Sequence, residues 1–154
     1  MKASDTTYRV ALFGHRCFGE YAILDDRLSK LIEKLINEKE FLEIYIGRNG
    51  EFDIYAASVI KRVQRLKGRD NCELVCVLPY DNKNVEYYAE YYDSVRIFEM
   101  LKFHPKRAIT ERNEKMIEMC DLLICYVEHK GGGAYRAMEY AHKLHKEIIN
   151  LFEK

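Results

Sequence analysis

From Arg9 to Phe152, short apolar runs alternate with amphipathic stretches, and this alternation restricts the fold more than any other property of the chain. Arg9 to Phe13, Phe41 to Ile46, Cys72 to Leu78, Ser94 to Phe98, Leu122 to Val127 and Glu147 to Phe152 read as strands. Leu24 to Lys39 carries Leu24, Leu28, Leu31, Ile32, Leu35 and Ile36 on one helical stripe. Further helices are expected from about Ile54 to Leu66, from Ala108 to Met119 and from Ala134 to His145. Strands joined through helices need crossover connections, so the expected fold is α/β, a doubly wound, mostly parallel sheet with helices on both faces. Cys72 to Leu78 is nearly all apolar, as a strand buried on both faces must be.

The segment Asn84 to Asp93 has a weaker pattern, set by Tyr87, Tyr88, Tyr91 and Tyr92, which at helical spacing form one aromatic stripe. Such a stripe is a packing surface, a subunit interface or a platform for a base, and the residues leave these readings open.

Three strands end in glycine and polar residues, and a helical pattern follows each: Gly14-His15-Arg16, Gly47-Arg48-Asn49-Gly50-Glu51-Phe52-Asp53 and Glu128-His129-Lys130-Gly131-Gly132-Gly133. Parallel strands bring these loops to one edge of the sheet. The N–H groups that open a helix have no internal partner, and glycine lets the backbone approach a ligand, so the edge reads as a pocket for a phosphorylated molecule. Arg16 offers a forked cationic donor to phosphate. Asp53 is placed to cap the helix expected near Ile54. Glu51 accepts hydrogen bonds from ribose hydroxyls or serves as nucleophile or general base on an N-glycosidic bond. Arg112 and Asn113 either cover a polar helix face or reach over the crevice. Neither GxxxxGK[ST] nor a GxGxxG after the first strand is present.

The chain of 154 residues has the size of one domain, read as residues 1–154, and no linker, repeat or low-complexity tract divides it. Its 25 basic and 25 acidic residues balance, which argues against bulk electrostatic binding to nucleic acid or an anionic membrane and leaves a local basic pocket open. The opening residues lack the apolar core of a signal peptide and no stretch is long enough to span a bilayer, so a cytoplasmic location is expected. Five cysteines at irregular spacing read as reduced core thiols. His142 and His145 share a helix face without a third ligand, so neither metal nor cofactor is expected.

Taken in order, these elements resemble the SLOG superfamily, the Rossmann-like group that includes the LOG phosphoribohydrolases, the DNA-processing protein DprA and YpsA-like bacterial proteins. The likeness lies nearest to the YpsA-like branch. It rests on Gly14-His15-Arg16, on Gly47-x-x-Gly50-x-x-Asp53, on the apolar strand ending in Pro79-Tyr80, on Arg112-Asn113 leading to Cys120-Asp121-Leu122-Leu123, and on Gly131-Gly132-Gly133. The resemblance implies a nucleotide or nucleotide-derived ligand bound by Gly14, His15, Arg16, Gly47, Arg48, Gly50, Asp53, Tyr80, Arg112, Asn113 and Gly131 to Gly133, often in a homo-oligomer. LOG enzymes cleave nucleoside 5'-monophosphates with a PGGxGTxxE motif. This chain has Lys130 in place of the proline and no Thr-x-x-Glu after the glycines, and Glu139 is out of register. The phosphate-holding half of the motif is kept and the chemical half is not. The leading expectation is therefore a domain that binds or senses a nucleotide-like ligand. The alternatives are a nucleotide N-glycosidase or deoxyribosyl transferase using Glu51, and an interaction scaffold. With neutral charge and no dense basic run, nucleic acid is not expected as a partner.

Overall fold

Six strands form one sheet. They are β1 (Thr7–Gly14), β2 (Phe41–Ile46), β3 (Cys72–Leu78), β4 (Ser94–Ile97), β5 (Leu122–Tyr126) and β6 (Glu147–Asn150). The helices are α1 (Tyr21–Glu38), α2 (Glu51–Lys67), α3 (Val85–Tyr91), α4 (Pro105–Met119) and α5 (Gly132–Lys143). The structure, a computed structural model, describes residues 6–15, 21–48, 50–81, 83–98 and 105–152, with 105 and 106 described by their backbone alone.

Strand order is β4-β3-β2-β1-β5-β6, and every pairing among the described strands is parallel. The chain winds outward from β1 to β4, returns through α4 to the other side of β1, and finishes with β5 and β6. This is a Rossmann-like doubly wound fold. Its reversal lies between β1 and β5, where Gly14 is paired with Tyr126. Crossovers diverge to opposite faces at such a point, which leaves a crevice beyond the carboxyl ends of the strands.

Alternation along the strands assigns the two faces. Val10, Leu12, Ile44, Ile46, Leu74 and Cys76 pack with Leu24, Leu28 and Ile32 of α1 and Phe52, Ala56 and Ile60 of α2. Ala11, Phe13, Tyr45, Val75 and Val77 face the opposite way, toward Met116 and Ile117 of α4 and Ala134, Ala137 and Ala141 of α5. A fully buried Leu or Ile side chain is worth roughly 1.5–3 kcal/mol, so the α1 stripe alone anchors its helix firmly. The alanines of α5 let that helix lie close to β1 and β5. The small apolar face therefore brings its N-terminus next to the crevice.

Several boundaries differ from the sequence expectation. α2 begins at Glu51 with Gly50 as its N-cap, so Asp53 is not the cap; it stands in the first turn with Glu51, where carboxylates favour the positive end of the helix. The final strand stops at Asn150, whose side chain accepts from Val127 N (3.0 Å) and Phe152 N (3.2 Å) and so turns the chain. The tyrosines do not form one stripe. Tyr92 is buried and Tyr88 packs on the core, while Tyr87 and Tyr91 are exposed, because each i,i+4 pair lies about 100° round the helix from the other. Burial pushes the thiols up, Cys76 and Cys120 to about 11 and Cys72 to about 12, so they remain protonated. No helix among the described residues is long and apolar enough to cross a membrane.

Candidate functional site

Gly14, His15, Asp53, Arg112, Asn113, Gly132 and Gly133 line one cleft of about 520 Å3 at the switch point. Seven residues singled out in the sequence thus meet in space, carried by the end of β1, the first turn of α2, the middle of α4 and the start of α5.

The glycines serve different purposes. A Cβ at Gly14 would fall inside the Phe52 ring, so that glycine makes room for a core side chain. At Gly47 it would lie 2.9 Å from Arg112 Nη1, so Gly47 makes room for a guanidinium. Gly131 and Gly132 have φ of 105° and 87°, in the left-handed region that glycine alone adopts cheaply. Gly133 has no such φ, and nothing lies within 4 Å of where its Cβ would be. Neither backbone nor packing requires glycine there. The bare backbone faces the open cleft at the N-terminus of α5.

Opposite this turn stands Arg112, only 2% exposed. Its Nη1 donates to Val77 O (2.8 Å) and its Nε to Asn113 Oδ1 (2.8 Å). Nη2 donates to no described residue, and no described carboxylate forms an ion pair with Arg112. Burial lowers its pKa from the ordinary arginine value, with Asp53 and Cys76 pulling the other way. A guanidinium keeps its charge regardless, so the cleft wall holds a fixed cation with free donor capacity. Asp53 contributes an acceptor to the same cleft.

His15 is buried and lines the cleft. Its Nε2 accepts from Glu128 N (2.8 Å) and His129 N (3.3 Å), and its ring stacks on that of His129 at 3.9 Å with 2° between planes. Two N–H donors on Nε2 require the neutral ring to carry its proton on Nδ1. Burial, then the neighbouring His129, lower the His15 pKa, and Glu128 opposes them.

Other residues expected at the site stand elsewhere. Arg48 packs over the Tyr88 ring (4.9 Å) and donates to Tyr92 Oη (3.5 Å), tying β2 to α3. Gly50 caps α2, Glu51 accepts from Tyr21 Oη (3.0 Å) outside the cleft, and Tyr80 is exposed beside β3. Gly131 is the N-cap of α5 and sets the turn without lining the cleft. Arg16 lies outside the described residues, as do Cys17 and Asn49. The cleft also includes His129 of the third loop, and Phe13, Ile109, Ala134 and Arg136, which the sequence did not assign to the ligand. Arg136 had a readable signal: a cation early in a helix, where the macrodipole disfavours it. Among the described residues no group of three or more His, Cys, Asp or Glu is placed to hold a metal.

No family model matches the chain, and no curated protein matches it either. Solved structures do. DprA from Streptococcus pneumoniae is similar with a TM-score of 0.67 and 18% identity, over 92% of this chain and 49% of that one. DprA from Helicobacter pylori, studied for its single-stranded DNA binding mode, gives 0.64 and 17%, over 94% and 65%. The molybdenum cofactor carrier protein from Chlamydomonas reinhardtii gives 0.59 and 13%, over 92% and 74%. The chain thus spans about half to two thirds of the DprA chains. At these identities the shared property is the Rossmann-like fold. The expectation that nucleic acid is an unlikely partner does not stand. A protein of this fold binds single-stranded DNA, and an even count of charges over a whole chain says nothing about a local cationic cleft.

Proposed function

We propose that this domain binds a phosphorylated ligand of the nucleotide class at the β1–β5 switch point, with its phosphate between the Gly132–Gly133 backbone and Arg112. The observation that carries the reading is Arg112: a buried guanidinium on the cleft wall, held by Val77 and Asn113, with Nη2 donating to no described residue. Burying a cation is costly; Asp53 offsets part of that cost without forming an ion pair, and a bound anion would offset more. The N–H groups opening α5 supply a second, independent attraction for that anion. Asp53 then accepts from sugar hydroxyls, and the role once given to Glu51 has no support from its position outside the cleft.

Binding without turnover is the preferred activity, because the chain lacks the Thr-x-x-Glu of the phosphoribohydrolases. The YpsA-like assignment follows from the same motifs and belongs to this proposal. A phosphodiester of single-stranded nucleic acid offers the same anionic oxygens, and the fold shared with H. pylori DprA favours including it. Calorimetry against nucleoside monophosphates, ADP-ribose, NAD, cyclic dinucleotides and a short single-stranded oligonucleotide tests the proposal. Saturable binding that is lost in Gly133→Leu supports it. Silence across the panel, or binding that Gly133→Leu leaves intact, refutes it.

A further inference from the structure

His15 shares the cleft with the proposed phosphate position, and a histidine there would ordinarily be assigned as a cationic partner of the anion. The geometry assigns the opposite role. We infer that His15 is a positioning residue that acts only when uncharged: its bare Nε2 holds the Glu128–His129 backbone, and thereby the glycine turn, in the anion-binding conformation, so that acidification weakens phosphate binding. This inference rests on the phosphate-site reading above and adds its regulation.

Three contacts support it. The single lone pair of Nε2 receives the N–H of Glu128 at 2.8 Å and that of His129 at 3.3 Å, so a proton on Nε2 would face two donors head-on. The ring lies flat on His129 at 3.9 Å, so a charge on both rings would be mutually repulsive. The loop so held runs directly into Gly131, whose N-cap position and positive φ set the direction of the first N–H groups of α5. Only Lys130 stands between the loop and the turn. The tautomer that leaves Nε2 bare places a proton on Nδ1. That N–H has no partner among the described residues, so His15 presents a neutral donor to an acceptor oxygen.

The sign of the pH effect separates this from simple electrostatics. Glu128 and His129 face the ring from the loop, and Asp53 of α2, Arg112 of α4 and Arg136 of α5 share its cleft. Protonating His129, Glu128 or Asp53 makes the cleft more positive and would strengthen anion binding. Protonating His15 also adds charge, yet it removes the acceptor that shapes the site. The depressed His15 pKa is consistent with a ring stabilised in its neutral form.

The test uses the full chain labelled with 15N, and sulfate as probe because its charge is constant across the pH range. Ring nitrogen shifts of His15, exchange of the Glu128 and His129 amides, and sulfate titrations read at Gly132 and Gly133 are followed from pH 8 to pH 5. The expected result is an Nδ1–H tautomer at pH 8, loss of amide protection as His15 titrates, and sulfate affinity falling by up to about tenfold per pH unit below that midpoint. His15→Gln keeps an acceptor oxygen for Glu128 N–H and cannot titrate, so it should bind sulfate at pH 8 and lose the fall. An Nε2–H tautomer at pH 8, or affinity that rises on acidification, overturns the role of His15 and leaves the phosphate site standing. Absence of sulfate binding at pH 8 overturns the phosphate site, and the regulation falls with it.

Discussion

Gly133→Ala should make the protein more stable and its site worse. Gly133 lies in the first turn of α5 without a positive φ, and an added Cβ meets nothing within 4 Å. Replacing such a glycine by alanine removes unfolded-state entropy worth about 0.4–1 kcal/mol. With an unfolding entropy of about 2.1 cal/mol/K per residue, a domain of this length gains roughly 3 °C in Tm per kcal/mol. The expected rise is therefore about 1–3 °C by calorimetry. In the cleft the new methyl group occupies the space in front of the backbone N–H groups, and losing one charge-assisted hydrogen bond costs about 1.5–3 kcal/mol, roughly a 10- to 150-fold loss of affinity. The control is its neighbour. Gly132→Ala forces alanine to a φ of 87° and should lower stability by about 1–2 kcal/mol. If Gly133→Ala lowers Tm, the backbone assignment is wrong. If it leaves the affinity for the best ligand unchanged, the glycine is not part of the site.

Arg112→Met, close in volume but uncharged, should abolish measurable binding in calorimetry while the far-ultraviolet circular dichroism remains that of the folded protein. Gly47→Ala should weaken ligand binding without touching the ligand, because its Cβ would crowd the guanidinium at 2.9 Å from Nη1; a ligand titration of this variant, with Tm as folding control, checks it. Gly14→Ala should cost about 1–3 kcal/mol or more of stability in urea unfolding, since Phe52 has no free space to yield. Glu51→Gln should leave affinity for every member of the ligand panel as in the wild type, whereas Asp53→Asn should weaken binding of ligands with ribose hydroxyls.

The fold was legible because its determinants are periodic. The stripe from Leu24 to Ile36 and the two-sided strand Cys72 to Leu78 each carry their burial in their spacing; the structure buries Leu24, Leu28, Ile32, Leu35, Ile36 and Leu74 to Leu78, and leaves Leu31 and Cys72 half-buried. Loops following parallel strands must emerge at one edge, so the meeting of Gly14, Gly133 and Asp53 was also accessible from order alone. What sequence did not reveal is what each glycine accommodates. Gly14 yields to Phe52 and Gly47 to Arg112, partners distant along the chain, while Gly133 yields to no described residue. The sequence left Arg112 either on a polar helix face or over the crevice. Its burial follows from α4 crossing back over the strand ends, a tertiary fact without a local signature. Of Glu51 and Asp53, both offered by the sequence for the sugar, only Asp53 lines the cleft, because the helix starts at Glu51, ahead of the expected Ile54. The reading of nucleic acid as an unlikely partner leaned on net charge, which averages over surfaces that a cleft does not share.

The central claim is that an anion is held jointly by the opening of α5 and the buried guanidinium. The most direct measurement is an amide-resolved NMR titration of the full chain with ADP-ribose and with a single-stranded oligonucleotide. Saturable shifts concentrated at Gly132, Gly133 and Ala134, together with a shifted Arg112 side-chain resonance, are the predicted result. Shifts centred on the exposed Tyr87 and Tyr91 instead, with the glycine amides unmoved, would contradict it.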